Sequence, residues 1–189
     1  MKHSFLKTVV LSAVSILALN SCRDNDEAPA DVHNHDEVQY LTVTLTNTAD
    51  NSTQTATFSA EGADKELVLK ENNTYDVQLS LVAPHDDHTH DVTDEIIELK
   101  EEHFFTYNFS NVAVKVTRKD EAESTRKDGS KIGLKTQWQV TSAPKTGAKA
   151  NIRLYHLPTS VKMSGANGDE AGTVVGGEED IDATFNIKK

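Results

Sequence analysis

Alternating apolar and polar residues begin at Val38 and continue through much of the chain. In 41–46, aliphatic residues alternate with threonines, and the alternation returns in 53–58 after a turn-rich stretch at 47–52. A period of two is typical of a strand with one face in the core and one in solvent. These segments therefore predict a β-hairpin. The segment 74–82 predicts another such strand, with its tyrosine, valine and two leucines on one face.

One segment, 93–103, has helical spacing instead. Thr93 is a good helix N-cap, and Asp94 and Glu95 suit the positive end of the helix dipole. A short helix is therefore expected between two groups of strands.

The remaining apolar segments predict further strands, and two polar segments predict loops. The strands are expected at 66–70, 105–109, 112–117, 134–141, 150–157 and 181–187, and the loops at 118–131 and 164–180. This set predicts a mainly β domain, built as an antiparallel immunoglobulin-like β-sandwich with one short helix.

The first residues have the pattern of a lipoprotein signal peptide. Lys2 and Lys7 form a positive start, and 8–19 is a 12-residue apolar stretch, shorter than the roughly 20 residues needed to span a bilayer. The sequence 19–22, Leu-Asn-Ser-Cys, resembles a lipobox. We therefore expect cleavage after residue 21, lipidation of Cys22, and anchoring to a membrane without crossing it.

The segment 22–37 is acidic and lacks the apolar residues needed for a core. Its acids begin directly after Cys22, which resembles the export signal of surface lipoproteins in Bacteroidota-type bacteria. We therefore expect a signal peptide (1–21), an acidic His-containing tether (22–37) and a β-sandwich domain (38–189). The expected location is the outer membrane, facing the cell surface, with its periplasmic face as the alternative.

Charge narrows the classes of partner. The chain has a formal net charge of −11, and removal of the two N-terminal lysines with the signal peptide leaves −13. An acidic surface repels nucleic acid, so no nucleic-acid partner is expected. A single cysteine, Cys22, also excludes internal disulfides.

Histidines form two clusters interleaved with acids, at 33–37 and 85–91. A His-x-His sequence in an extended chain places two imidazoles on one side, and mixed imidazole and carboxylate ligands favour Zn²⁺, then Cu²⁺ or Ni²⁺. The candidate ligands are His85, Asp86, Asp87, His88, His90 and Asp91, with His33 and His35 in the tether and His103 after the helix. His103 can contribute only if the end of the helix folds back toward the second cluster.

Other interpretations of these histidines stay open. The clusters also fit solvated polar loops or a pH-sensing role. His103 also fits a residue packed against the sandwich, and His156 the end of a strand. No nucleophile elbow, Walker loop, dinucleotide motif or zinc-protease motif occurs in the sequence, so no enzymatic activity is expected.

Several motifs over most of the chain resemble a group of small, uncharacterised lipoproteins of Bacteroidota-type bacteria. They are the Cys22 lipobox with its acidic tether, 46–50 (Thr-Asn-Thr-Ala-Asp), 73–77 (Asn-Thr-Tyr-Asp-Val), the acidic helix leading to 102–105 (Glu-His-Phe-Phe), and 154–158 (Leu-Tyr-His-Leu-Pro). Such proteins often accompany outer-membrane TonB-dependent receptors, which implies a receptor partner here. The group's middle segment is usually acidic, whereas this chain has histidines there.

The sequence therefore predicts an outer-membrane lipoprotein that binds a divalent transition metal for capture or for delivery to a transporter. Two alternatives stay open: an adhesion or glycan-binding module without metal, and a structural envelope lipoprotein.

Overall fold

The computed structural model describes residues 38–85 and 88–189, and at His85 and His88 it describes the backbone. Several predictions lie outside the described residues: the signal peptide 1–21, the lipidation site Cys22, the tether 22–37 with His33 and His35, and the candidate ligands Asp86 and Asp87. These remain predictions.

The described chain is mainly β with one short α-helix, as the alternating pattern predicts. Its strands in chain order are β1 (Tyr40–Asn47), β2 (Thr53–Ser59), β3 (Gly62–Ala63), β4 (Leu67–Val68), β5 (Thr74–His85), β6 (His88–Asp91), β7 (His103–Ser110), β8 (Val114–Arg118), β9 (Lys135–Val140), β10 (Lys149–His156), β11 (Ser160–Lys162), β12 (Thr173–Val175) and β13 (Glu178–Lys188). Helix α1 (Thr93–Glu98) lies between β6 and β7, and a 3₁₀ turn (Ala122–Ser124) lies between β8 and β9.

The strands form three sheets. The largest has the order β3-β2-β1-β5-β9-β8, with β6 added beside β5, and the second has the order β4-β13-β10-β7. Strands β11 and β12 form a separate two-stranded sheet. Pairing is antiparallel except between the short β4 and the end of β13. The prediction of antiparallel sheets is therefore confirmed.

Strand β1 shows why the alternating segments become strands. Leu41, Val43 and Leu45 are fully buried, while the intervening threonines are half-buried on the other face. Leu41 lies opposite Phe58 of β2 on one side of β1, and the pairing to β5 continues the same ladder on the other side. The predicted hairpin of 41–46 and 53–58 is thus confirmed.

The two larger sheets share one core. Phe58 of β2 packs edge-on against Phe185 of β13, with ring centroids 6.2 Å apart. Trp138 of β9 is fully buried and packs against Phe109 of β7, with centroids 4.9 Å apart. Burying a large apolar side chain contributes about 1.5–3 kcal/mol, so these inward faces are the main source of stability.

A buried arginine interrupts this apolar core. Arg118, at the end of β8, is 1% exposed, although the sequence predicts that it begins a charged loop. Its guanidinium donates hydrogen bonds to the carbonyl oxygens of Phe105, Lys131 and Glu170 and lies 4.2 Å above the ring of Phe104. Arg118 therefore joins β7, β8 and two loops at one point.

Asp120 lies buried beside this arginine. Its carboxylate accepts hydrogen bonds from the backbone N–H groups of Gly133 and Leu134 at 3.0 and 2.9 Å. Burial raises the pKa of Asp120, while the nearby positive charge of Arg118 partly opposes that rise. Burial also lowers the pKa of Arg118. The predicted loop 118–131 therefore begins with two charged residues that are enclosed by protein.

Helix α1 is shorter than the predicted segment 93–103, and the prediction that Thr93 is its N-cap is wrong. The N-cap position is Val92, without a side-chain cap. The hydroxyl of Thr93 instead accepts a hydrogen bond from the N–H of Leu81 in β5 at 2.9 Å. Thr93 therefore attaches the start of the helix to the large sheet.

The helix ends early because the residues after it belong to a strand. Phe104 and Phe105 are fully buried in β7, and β7 begins at His103, which lies opposite His156 of β10. Burial in the sheet outweighs the helical spacing of the sequence. Within residues 38–85 and 88–189, no helix is long and apolar enough to cross a membrane.

Candidate functional site

The candidate metal segment, which also fits a solvated polar loop in the sequence, is a hairpin arm. Strand β5 continues past the predicted end at 82 to His85, and β6 pairs back along it. In this register His85 lies opposite His88, and His90 lies opposite Ala83. Because Leu81 and Ala83 are fully buried, the arm continues a strand whose inner face is part of the core.

His90 has a carboxylate neighbour that the sequence analysis did not include. Its side chain is 31% exposed, and its Nε2 lies 3.6 Å from Oε1 of Glu95. Glu95 is in the first turn of α1, which follows β6 after one residue. The sequence contains a signal for this contact, since an acidic first helical turn directly follows the histidine cluster, although that turn also fits the helix dipole alone.

Asp91 makes a structural contact at the start of the helix. Its Oδ1 accepts a hydrogen bond from the N–H of Thr93 at 2.8 Å, and Asp91 lies opposite Val82 in the ladder. Successive strand residues point to opposite faces, so Asp91 and His90 lie on different faces of β6. The role of Asp91 as a metal ligand stays a prediction, and its hydrogen bond to Thr93 gives it a structural role as well.

His103 lies in a different cluster. It is 1% exposed, its Nδ1 lies 3.0 Å from the carbonyl oxygen of Leu99, and its Nε2 lies 3.6 Å from Oδ2 of Asp180. Its ring stacks on that of His156, with centroids 5.0 Å apart and an interplanar angle of 14°. These contacts fit the interpretation of His103 as a packed residue.

His156 completes this second cluster. Its Nε2 lies 3.4 Å from Oε2 of Glu102, the residue before His103. Residues 102–103 and 156 are distant in sequence but adjacent in the β7–β10 ladder. No sequence spacing indicates this pairing, because it depends on the register of two strands.

The predicted ligand set is therefore described only in part. Among the described residues, no group of three or more His, Cys, Asp or Glu side chains is arranged to hold a metal ion. Asp86 and Asp87, and the side chains of His85 and His88, lie outside the described residues and groups. The metal site at 85–91 stays a prediction, with Glu95 added as a neighbour.

Comparisons with protein families, with curated proteins and with solved structures found no match to this chain.

Proposed function

We propose that this protein is an outer-membrane lipoprotein, anchored through Cys22, that captures a divalent transition metal at the β5–β6 hairpin for delivery to a transporter. Zn²⁺ is the preferred ion, followed by Cu²⁺ and Ni²⁺. The observation that carries the proposal is the register of the hairpin.

The register supports convergence of three histidine positions. His85 and His88 are opposite each other, and His90 is two positions further along β6. Opposite positions in an antiparallel pair, and positions two apart in one strand, lie on the same face, with opposite Cα atoms about 4.5–5.5 Å apart. Three histidine positions on one face match the three protein ligands common in open zinc sites.

A carboxylate is expected to complete or orient the site. Glu95 is a described carboxylate beside this face, with Oε1 3.6 Å from His90 Nε2. A carboxylate at this position can bind the metal directly or fix the imidazole tautomer. Asp86 and Asp87 remain further candidates, and Asp91 is the weaker one because its carboxylate accepts the Thr93 N–H.

Membrane attachment and partner are also parts of the proposal. The lipobox at Cys22 and the acidic segment 22–37 support a lipid anchor on the outer membrane, with the cell surface as the preferred face. A TonB-dependent receptor is the proposed partner, from the family resemblance alone. The two antiparallel sheets with one core support an immunoglobulin-like sandwich as the finer form of the fold.

Calorimetric titration of Zn²⁺ into residues 23–189 tests the proposal. The described core lies between Leu41 and Ile187, so this form retains it. We expect saturable binding with a Kd of about 1 μM or tighter near neutral pH. Replacing His85, His88 and His90 together by alanine should abolish it, while His156→Ala, as a matched histidine control, should retain it. Binding that survives the triple replacement would contradict the proposal.

Two conservative replacements identify the carboxylate. Glu95→Gln should weaken Zn²⁺ binding by about 10–100-fold if Glu95 binds the metal or orients His90. Asp91→Asn should leave the Kd within about threefold, because its described contact is with the helix backbone. The reverse order of effects would assign the carboxylate role to Asp91.

A further inference from the structure

A groove with mixed polar and apolar lining lies along the outer side of the second sheet. It has a volume of about 930 Å³ and runs between β7 and the start of β8, which are the end strands of their sheets. Sites for small organic ligands are commonly about 300–1,000 Å³. The groove is therefore large enough for a ligand of several rings, and of the predicted metal ligands whose side chains the structure describes, His90, Asp91 and His103, none lines it.

Uncharged polar side chains form much of the floor. Thr106 and Asn108 of β7 and Asn151 of β10 alternate with buried residues, so their side chains are on the outer face. Amide and hydroxyl groups both donate and accept hydrogen bonds. This floor matches a ligand rich in hydroxyl groups.

Two cationic residues line the groove: Lys115 is exposed, and Arg153 is already paired with acids. Arg153 lies 3.3 Å from Glu179 and 3.1 Å from Asp182 through its two terminal nitrogens. The hydroxyl of Tyr155 also donates to Glu179, at 3.0 Å. With this local pairing and a formal net charge of −11 for the chain, an anionic ligand is disfavoured.

Two aromatic residues supply apolar surface. Tyr155 and Phe109 both line the groove and are both half-buried; Tyr155 lies on its floor, whereas Phe109 borders it from the inner face of β7, where its ring also packs against Trp138. Pyranose rings have apolar faces and hydroxylated edges, which suits an aromatic surface next to amides. A peptide would be expected to use a longer unpaired strand edge, whereas loop residues already bond to parts of β7 and β8.

Those loop residues fix the roof of the groove. The roof is the segment 165–174; within it, Ala171 accepts a hydrogen bond from the N–H of Tyr107 in β7, and the N–H of Glu170 bonds to Val116 in β8, each at 2.9 Å. Gly172 has φ +88°, and a Cβ there would lie 2.3 Å from the guanidinium of Arg118. The buried arginine thus packs directly under the roof, which limits the ordering that a ligand must cause.

We infer that this groove binds a neutral oligosaccharide of a few pyranose units, independently of the hairpin metal site. Tyr155 and Phe109 contact the sugar faces. Thr106 and Asn108 hydrogen-bond the hydroxyl groups. Asn151 accepts from them through its Oδ1, because its Nδ2 already donates to Asp182 and Thr184.

The test uses residues 23–189 from which metal has been removed with EDTA. Neutral tri- to hexasaccharides of glucose, mannose, xylose and N-acetylglucosamine are titrated into this protein, and binding is measured by calorimetry. Working without metal separates this test from the metal proposal. At least one series should bind with a Kd tighter than about 1 mM. Tyr155→Ala and Asn108→Ala should each weaken it by about tenfold or more.

Two control variants distinguish the loss of groove contacts from a general loss of folding. Asn186→Ala replaces an exposed asparagine on the same sheet outside the groove, and Tyr40→Ala replaces a half-buried tyrosine of β1. Both should leave the Kd unchanged. The inference is overturned if no series binds by 1 mM or so, if both groove variants bind normally, or if the control variants lose binding equally.

Discussion

Two charged segments, 84–91 and 118–131, look alike in the sequence but differ in the structure. Both are rich in charged or ionisable residues; the sequence predicts a loop at 118–131, and a solvated polar loop is one open interpretation of the first segment. The first becomes a hairpin arm that continues β5, whereas the second begins with Arg118 and Asp120, which are 1% and 4% exposed. Similar composition therefore leads to a peripheral arm in one case and to a buried charged contact in the other.

The difference comes from what surrounds each segment. Arg118 is enclosed because the ring of Phe104 lies beside it and because Gly172 approaches without a side chain. The arm leads away from Ala83, the last described buried residue of β5, and His90 beyond it is only partly covered. The buried charges of the second segment hold neighbouring strands and loops together. The histidines of the first segment are the better candidates for binding a metal ion.

The largest expected effect is in the buried segment. Arg118→Met should lower the free energy of unfolding by about 3–5 kcal/mol, because it leaves Asp120 and several carbonyl groups buried without their cationic partner. Urea denaturation measures this loss. Lys119→Met, at the exposed neighbouring position, should change the value by less than about 0.5 kcal/mol. Equal losses of unfolding free energy in the two variants would contradict the view that burial makes the Arg118 charge more important than the exposed Lys119 charge.

Zn²⁺ binding at the β5–β6 hairpin should stabilise the folded protein. At a free Zn²⁺ concentration of 100 times the Kd, the free energy of unfolding should increase by about 2.7 kcal/mol. This increase should vanish when His85, His88 and His90 are all alanine. Thermal melts with and without Zn²⁺ measure it, and an increase that the triple variant keeps would locate the metal elsewhere.

The stacked histidines His103 and His156 are expected to contribute to stability, in contrast to the histidines of the β5–β6 hairpin. A double-mutant cycle with His103→Ala and His156→Ala should give a coupling of about 0.5–1.5 kcal/mol, because the rings are in contact. Urea unfolding of the four proteins provides the cycle. Additive effects would mean that the stacking contributes nothing to stability.

The smallest effects concern pH, and they have opposite signs within 118–131. Burial raises the pKa of Asp120, so its contribution to stability is full below its ordinary pKa of 3.8 and is lost as pH rises through the higher folded value. Asp120→Asn has no carboxyl group at this position, so its stability does not change with pH in this way. The stability advantage of the unmodified protein over this variant should therefore shrink as pH rises from about 3 to 7.

Asp128 provides the opposite case in the same segment. Hydrogen bonds from Ser130 lower its pKa, so its contribution is present above 3.8 and is lost as pH falls. The advantage over Asp128→Asn should grow with rising pH. Urea titrations at several pH values measure both trends, and trends of the same sign would contradict the assignment of Asp120 as the buried carboxylate.

The sequence predicts much of the fold because strand periodicity is a local property. The hairpin of β1 and β2 and the apolar face of β5 follow directly from alternation. The end of α1 does not, because His103 and Phe104 have helical spacing but are buried in β7. That outcome depends on a pairing with β10, which lies some fifty residues further along the chain.

The candidate sites differ in the same way. The histidines of the arm are close in sequence, so their spacing indicates a cluster before the fold is known. The groove combines β7, β10 and the segment 165–174, and the stacked imidazoles combine His103 with His156. Neither arrangement has a local sequence pattern, and both appear only when strand order and register are known.

The most direct test of the central claim is the location of zinc in crystals of residues 23–189 grown with Zn²⁺, from anomalous diffraction at the zinc edge. We expect the strongest peak within about 2.0–2.1 Å of imidazole nitrogens from at least two of His85, His88 and His90. A strongest peak at His103 and His156, or fully loaded crystals without a peak at the arm, would contradict the proposed metal site.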